Sequence, residues 1–509
     1  GAIGTAQVAT MTTEDLVALG TAGIRALSTA QLAALDSAQI GVLTSDQVKA
    51  LTTAQIKGLT TEDLNALHSD QIQQLTSDQL KALTSAQIQS MSSDSLNALS
   101  NTQIPQLSSA QIAAIATAQV ATVTTEDLVA LGSAGIRALS TAQLAALDSD
   151  QIGVFTSDQI KALTTAQIKG LGSDDLNALT SAQIPQLSSA QIGAIGTAQV
   201  ATMTTEDLVA LGSAGIKALS TAQLAALDSA QIGALTSDQV KSLTTAQIKG
   251  LTSEDLNALT SSQIQALDSA QIKALTTGQI QSLTSDSLNA LSSTQIPQLT
   301  SSQVAAIATA QVTTMTTEDL VALGSAGIKS LSTAQLAALD SAQIGVLTSD
   351  QIKALTTAQI RGLSSDDLNA LTSAQIPQLS SAQIGAIATA QVATMTTEDL
   401  VALGSAGIKA LSTSQLAALD SAQIGSLTSD QVKSLTTTQI KGLTSEDLNA
   451  LSSDQIQALD SAQIKALTTG QIQSLTSDSL NALSSAQIPQ LSSAQIAAIA
   501  TAQVATMTT

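Results

Sequence analysis

In 509 residues the sequence has no Trp, Tyr or Cys, a single Phe (Phe155) and a single His (His68). Each absence removes something. Without cysteine there are no disulfides, no thiolate nucleophile and no Cys-ligated metal. Without aromatics there is no ordinary globular core of this size, because aromatic side chains each bury a large area there. Charged residues are also scarce, at 11%, whereas 44% of residues are apolar. Disordered chains show the reverse balance, so this chain is not read as disordered. Basic residues are the rarer sign, 18 Lys and Arg against 39 Asp and Glu, giving a net charge of −21. That charge opposes nucleic acids and anionic membrane surfaces, both of which need basic patches. No charge-free apolar run approaches the roughly 18 residues of a membrane span, so membrane insertion is not expected. The chain opens GAIGTAQV with no initiator Met and no signal peptide, which suggests a processed chain or a window from a longer one.

What is present is repetition with a period of eight. Every position divisible by eight, from Val8 to Val504, is Val, Leu or Ile. Three residues after each comes a second apolar site, as in Leu19, Leu27 and Leu35. Phe155 and the six Met residues (Met11, Met91, Met203, Met315, Met395, Met507) all occupy this second site, so they read as core substitutions. A superperiod of 192 residues lies above the octad, since GAIGTAQV recurs at residue 193. TTEDLVAL recurs around Leu16, Leu128, Leu208, Leu320 and Leu400, at spacings alternating between 112 and 80 residues. The chain is therefore one continuous array, 1–509, in blocks 1–112, 113–192, 193–304, 305–384, 385–496 and a partial 497–509. Long and short blocks differ by 32 residues, for example the insert 68–99, without loss of phase.

Apolar sites at i and i+3 share one helix face. A continuous helix still fails, because the apolar stripe would drift about 80° with each octad. The chain must change direction in every octad. After most second apolar sites comes Ser, Thr or Asp, and three residues later Gln or Asp: the capping-box pattern of a helix start. All 18 basic residues directly follow the first apolar site, while acids such as Glu14, Asp15, Asp36 and Asp46 fall in the capping turn. This order complements a helix dipole. Pro105, Pro185, Pro297, Pro377 and Pro489 occupy the basic slot, so the helices are short.

The fold expected is therefore all-α, an open solenoid of short capped helices, one per octad. Block lengths divisible by sixteen suggest two octads, or sixteen residues, per coil. A β-solenoid is the alternative, disfavoured by abundant Ala, Gln, Leu, Glu and Lys. In TTAQIKGLTTEDLNAL the core residues are Ile56, Leu59, Leu64 and Leu67. Thr52 with Gln55 and Thr60 with Asp63 form the caps, and Lys57 marks the outer edge. Neither end departs from the repeat, so the solenoid is expected to be open at both ends and suited to stacking end to end.

No chemistry emerges. His68 replaces a Ser or Thr in a capping slot and has no counterpart in the equivalent blocks, which carry Thr260 and Ser452. Ser and Thr lack an activating base, so enzymatic activity is not expected. The acidic pairs Glu14–Asp15, Glu62–Asp63 and Asp174–Asp175 would bind Ca²⁺ only weakly, having neither an EF-hand loop nor a glycine-rich calcium repeat. They read as helix starts, and no cofactor is expected.

In phase-locked units such as LTTAQIKGL, Leu51 to Leu59, the chain resembles the very long repetitive surface proteins of bacteria: giant adhesins and extracellular filament or matrix proteins. That resemblance implies an extracellular or cell-surface location. It also implies a structural role, as a filament, stalk or matrix segment that associates with like chains. The alternative it offers is an adhesin region that binds a glycan or a surface. If helix and not strand underlies the octads, far-UV circular dichroism of the purified protein will show the double minimum of α-helix; a single strand-type minimum would select the β-solenoid.

Overall fold

A computed structural model describes residues 3–505. Among these the chain is all-helical, with short α-helices at octad intervals, five 3₁₀ turns and no strand. The expected helical solenoid is the fold, and the β-solenoid is excluded. Met507 lies outside the described residues. The chain divides into two compact units, Gly1–Ala258 and Leu259–Thr509, each built of the same octads.

One octad shows how the sequence makes the helix. Thr52 is extended (φ −76°, ψ 159°), and Thr53–Gly58 is helical. The Gln55 amide N–H donates to Thr52 Oγ1 (3.2 Å), and the Thr52 N–H donates to Gln55 Oε1 (2.8 Å). At Leu59 the backbone is again extended (φ −65°, ψ 136°). Two consecutive extended residues, the second apolar site and the next cap, thus redirect the chain before Thr61–Ala66 begins. In that next octad Thr60 N–H donates to Asp63 Oδ2 (2.9 Å) and Asp63 N–H to Thr60 Oγ1 (3.2 Å). The proline octads tighten to 3₁₀ turns, such as Ile104–Gln106, where Pro105 supplies no amide. Ile56, Leu59, Leu64 and Leu67 are all buried, as are both apolar sites along nearly the whole array.

The cap Gln has a second task. With its oxygen committed to the cap, its Nε2 turns toward the preceding coil and donates to two backbone carbonyls there. Gln55 reaches Ile24 O and Leu27 O (both 2.9 Å), and Gln87 reaches Ile56 O (2.8 Å) and Leu59 O (2.9 Å). In the second unit Gln303 reaches Ile272 O (2.7 Å) and Leu275 O (2.8 Å) in the same way. These are carbonyls at and just past helix C-termini: Ile24 O and Ile56 O also accept from the Leu27 and Leu59 N–H (3.2 and 3.3 Å), and the glutamine adds a second bond there. The amides themselves are buried, Gln47 and Gln79 being 1% and 2% exposed. A buried polar group is tolerated there because its hydrogen bonds are met.

These bonds fix the coil. They span 28 and 31 residues, whereas packed helices such as Gly20–Ala26 and Ser45–Ala50 lie about three octads apart. A coil therefore holds between three and four octads, not the two that block lengths divisible by sixteen suggest. The reason is that every octad directs both its apolar sites inward. No odd–even alternation of faces exists, so block length carries no information on coil size. Each site also has its own neighbour. Near the N-terminal side Met11, Leu19 and Leu27 are half-exposed, whereas near the other side Ile496 is 53% exposed. Second-site side chains are thus covered by the preceding coil and first-site side chains by the following one.

Gln79 donates to Val48 O (2.9 Å) and Leu51 O (2.8 Å) and accepts from Thr76 N–H (2.7 Å). Gln79→Ala will cost about 3 kcal/mol of local protection, because it leaves the Leu51 carbonyl and the Thr76 N–H without their partner, read by native-state hydrogen exchange in the two adjoining coils. Gln79→Glu keeps the cap but sets a carboxylate against those carbonyls, and is expected to cost more at neutral pH.

Candidate interaction surface

The octad pattern breaks at one recurring place, the TTEDLVALG segment. In Thr125–Ala130 the helix continues through Leu131, which is helical (φ −56°, ψ −28°) where other second sites are extended. Gly132 then reverses the chain at φ +63°, and Gly20, Gly212, Gly324 and Gly404 do the same. Among the described residues these are the positive-φ positions, which explains why glycine replaces the usual Ser or Thr. Three residues on, Gly135 stands where Gln is the rule. A Cβ there would lie 2.8 Å from Leu131 Cβ, so the longer helix excludes any side chain.

Beside two of these helices lies a shallow groove. One, of about 340 Å³, is lined by Asn101, Thr125, Glu126, Val129 and Val154. Its equivalent further along, of about 490 Å³, is lined by Ser373, Thr397, Glu398, Val401, Ala402 and Ser426. The central Val is unusually exposed for its type, at 41% in Val129 and 40% in Val401, and Val17, Val209 and Val321 match them. The groove thus offers one apolar contact beside a carboxylate. It has neither a nucleophile with a base nor an aromatic ring.

The other sequence-selected residues serve structure. Thr52, Gln55, Thr60 and Asp63 sit at helix starts, and Lys57 is exposed. His68 occupies an N-cap position, but its exposed side chain makes no cap hydrogen bond. Of the acidic pairs, Asp63 and Asp175 close capping boxes. No group of three or more His, Cys, Asp or Glu capable of holding a metal occurs among the described residues. Sequence reading missed the inter-coil role of Gln. The signal was there: Glu closes a capping box as well as Gln does, yet Gln fills most of these slots, and only the amide carries a donor.

With the repeat's geometry in view, the family profile of the ALTTAQ repeat matches residues 8–109, 124–157, 170–285, 312–429 and 442–509, in sixteen segments, all but 124–157 overlapping a neighbour. The chain belongs to the ALTTAQ repeat family. No curated protein matches this ALTTAQ repeat chain. Among solved structures it matches APUM23-GGAAUUGACGG at 11% identity, covering 94% of this chain and 92% of that one, with a TM-score of 0.15. APUM23-GGAUUUGACGG matches at 12% identity over 94% and 91%, with a TM-score of 0.14. Similarity at that level carries no argument about fold or ligand.

Two glycine substitutions test the break in the ALTTAQ pattern. Gly132→Ala will cost about 1–2 kcal/mol, the penalty of a left-handed residue with a Cβ. Gly135→Ala will cost more, because the clash falls on Leu131 Cβ and not on a flexible tip. Hydrogen exchange in the segment 125–140 orders the two.

Proposed function

We propose that this ALTTAQ chain is a structural protein, a segment of an extracellular or cell-surface filament, stalk or matrix fibre. The observation that carries this reading is the Gln bridge. The same cap amide binds the coil before it, octad after octad, so that the bulk of the chain is devoted to coil-to-coil cohesion. Such arrays are stabilised by nearest-neighbour interfaces and extend without a natural limit on length. The absence of cysteine suits this reading, since cohesion here needs no redox-controlled cross-link. Among the described residues no helix is long and apolar enough to cross a membrane. The net charge of −21 disfavours nucleic acid and anionic lipid as partners, leaving like chains as the partners of choice.

A second reading, an adhesin region that grips a glycan or surface, draws on the grooves around Val129 and Val401 and on the exposed Val that recurs with each TTEDLVAL segment. Their lack of aromatic rings weighs against sugar as the ligand.

Electron microscopy of the purified chain separates these readings from a compact particle. Elongated objects of constant width, joining end to end as concentration rises, support the structural role. Compact monodisperse particles at all concentrations overturn it. Retention on a glycan array by a chain that never self-associates would select the adhesin.

A further inference from the structure

Some octads carry Asp in place of the bridging Gln, and these fall into two kinds. In the first the Asp closes its capping box. Thr60, Gly172, Thr252 and Thr444 N–H each donate to Oδ2 of Asp63, Asp175, Asp255 and Asp447 at 2.9 Å, and Ser364 N–H to Asp367 Oδ2 at 2.8 Å. Thirty residues before these stands Ala: Ala33, Ala145, Ala225, Ala417 and Ala337. The second kind comprises Asp127, Asp207, Asp319 and Asp399 of the TTEDLVAL helices, whose boxes are not closed. Thirty residues before these stands Asn: Asn97, Asn177, Asn289 and Asn369.

That Asn has a fixed orientation. Asn97 Nδ2 donates to Thr122 O and Asn177 Nδ2 to Thr202 O, both at 2.9 Å, and Asn289 Nδ2 to Thr314 O at 2.8 Å. The carbonyl oxygen is thereby turned inward, and Oδ1 of all four Asn residues is buried with no hydrogen-bond partner. So is Oδ2 of Asp207 and of Asp399, each in a residue 7% exposed. Elsewhere an Asn in this row finds a donor: Asn65 Oδ1 accepts from Ser92 N–H (2.7 Å), the amide of the next coil's N-cap. At Asn97 the corresponding amide is that of Thr124, and Asn97 Oδ1 has no partner. The Asn97 oxygen and the Asp127 carboxylate thus stand together with few donors. They do so around a cavity lined by Leu96, Asn97, Ile104, Leu107, Ile115, Val123, Asp127 and Leu131, which leaves about 20 Å³ for the centre of a water molecule. The site is one donor short.

We propose that Asp127, Asp207 and Asp319 are internal proton-binding sites: each carboxylate takes a proton from solvent, forms an O–H bond and donates it to the Asn Oδ1 thirty residues earlier, so that the array tightens as the surroundings turn acidic. The step removes one negative charge per site and supplies the missing donor. Burial pushes these three carboxyls above the ordinary Asp value, partly offset by hydrogen bonds from Thr124, Thr204 and Thr316 and assisted by the charges of Glu126, Glu206 and Glu318. The elements packed round Asp127 carry Asp94, Arg137, Asp148 and Asp150. Those round Asp207 carry Asp174, Asp175, Lys217 and Asp228, and those round Asp319 carry Asp286, Lys329 and Asp340. All of these are exposed except half-buried Asp175. Among the described residues the ion pair is Lys353–Asp350, so no cation holds these carboxylates ionised.

The sign follows from linkage. With folded values above unfolded ones, the folded chain binds more protons between them, and stability rises as pH falls through the folded values, the reverse of the usual carboxylate. The test is a carbon-13 titration of Asp carboxyls in the full chain, beside the triple variant Asp127→Asn, Asp207→Asn, Asp319→Asn. Three carboxyl signals of the parent will titrate above the rest and be missing from the variant. As the pH falls from neutral toward the ordinary Asp value, the urea midpoint of the parent will rise more than that of the variant, whose amides supply donors at any pH. All carboxyls titrating together in the ordinary Asp range would overturn the proposal and assign the cavity to a bridging water, as would parallel pH profiles. If the variant fails to fold, the parent's titration still decides.

Discussion

The structure depends on one side-chain amide used at both ends. A cap glutamine gives its oxygen to the N-terminal amide of its own helix and its nitrogen to the C-terminal carbonyls of the coil before. Helices of one or two turns have termini for most of their length, and each terminus leaves backbone groups unpaired. In a long helix these costs are diluted; in an octad they would be prohibitive. The glutamine satisfies donors and acceptors together, and this lets helices too short to survive alone become a repeating material. Apolar packing then needs only two aliphatic side chains per octad, each covered by a different neighbouring coil.

That arrangement accounts for the composition. Aromatics have no place, because the space inside a coil is filled by Leu, Ile and Val at two fixed positions, with Met or Phe155 as occasional substitutes at one of them. Charge is sparse because one residue in the octad's outer slot, Lys57 for example, is enough to mark the solvent side. Acids concentrate at helix starts, where the dipole favours them. The ALTTAQ repeat match extends over most of the chain, so this economy runs along nearly its whole length.

Much of this was legible in the residues. The period, the two core sites and the caps at Thr52 and Thr60 could be placed because each is a local, phase-locked pattern. Coil size was not legible. It depends on how far Gln55 reaches to find Ile24 O and Leu27 O, and a contact across 28 to 31 residues leaves no mark in an eight-residue period. The 192-residue superperiod was visible, but the bend it carries was not. Gly132 reads as a weak helix former until its positive φ shows that it turns the chain directly from one helix into the next. Asp127 and Asn97 escaped notice for the same reason as the coil. Their relation lies between coils, and each alone looks like an ordinary cap or surface residue.

A coil that closes on a fractional number of octads has a bearing on how such a chain can change over generations. Since no octad differs from its neighbour in which face it turns inward, tandem duplication or loss can proceed one octad at a time. A strict two-octad coil would have forbidden odd steps. The exception is a stretch whose ends must meet. Asn97 to Asp127 in a junction after a long block, and Asn177 to Asp207 after a short one, keep the same thirty-residue separation. The 32 extra residues of the long block leave that separation unchanged. The interior of the array is free to lengthen, and the Asn–Asp spans are the pieces inherited whole.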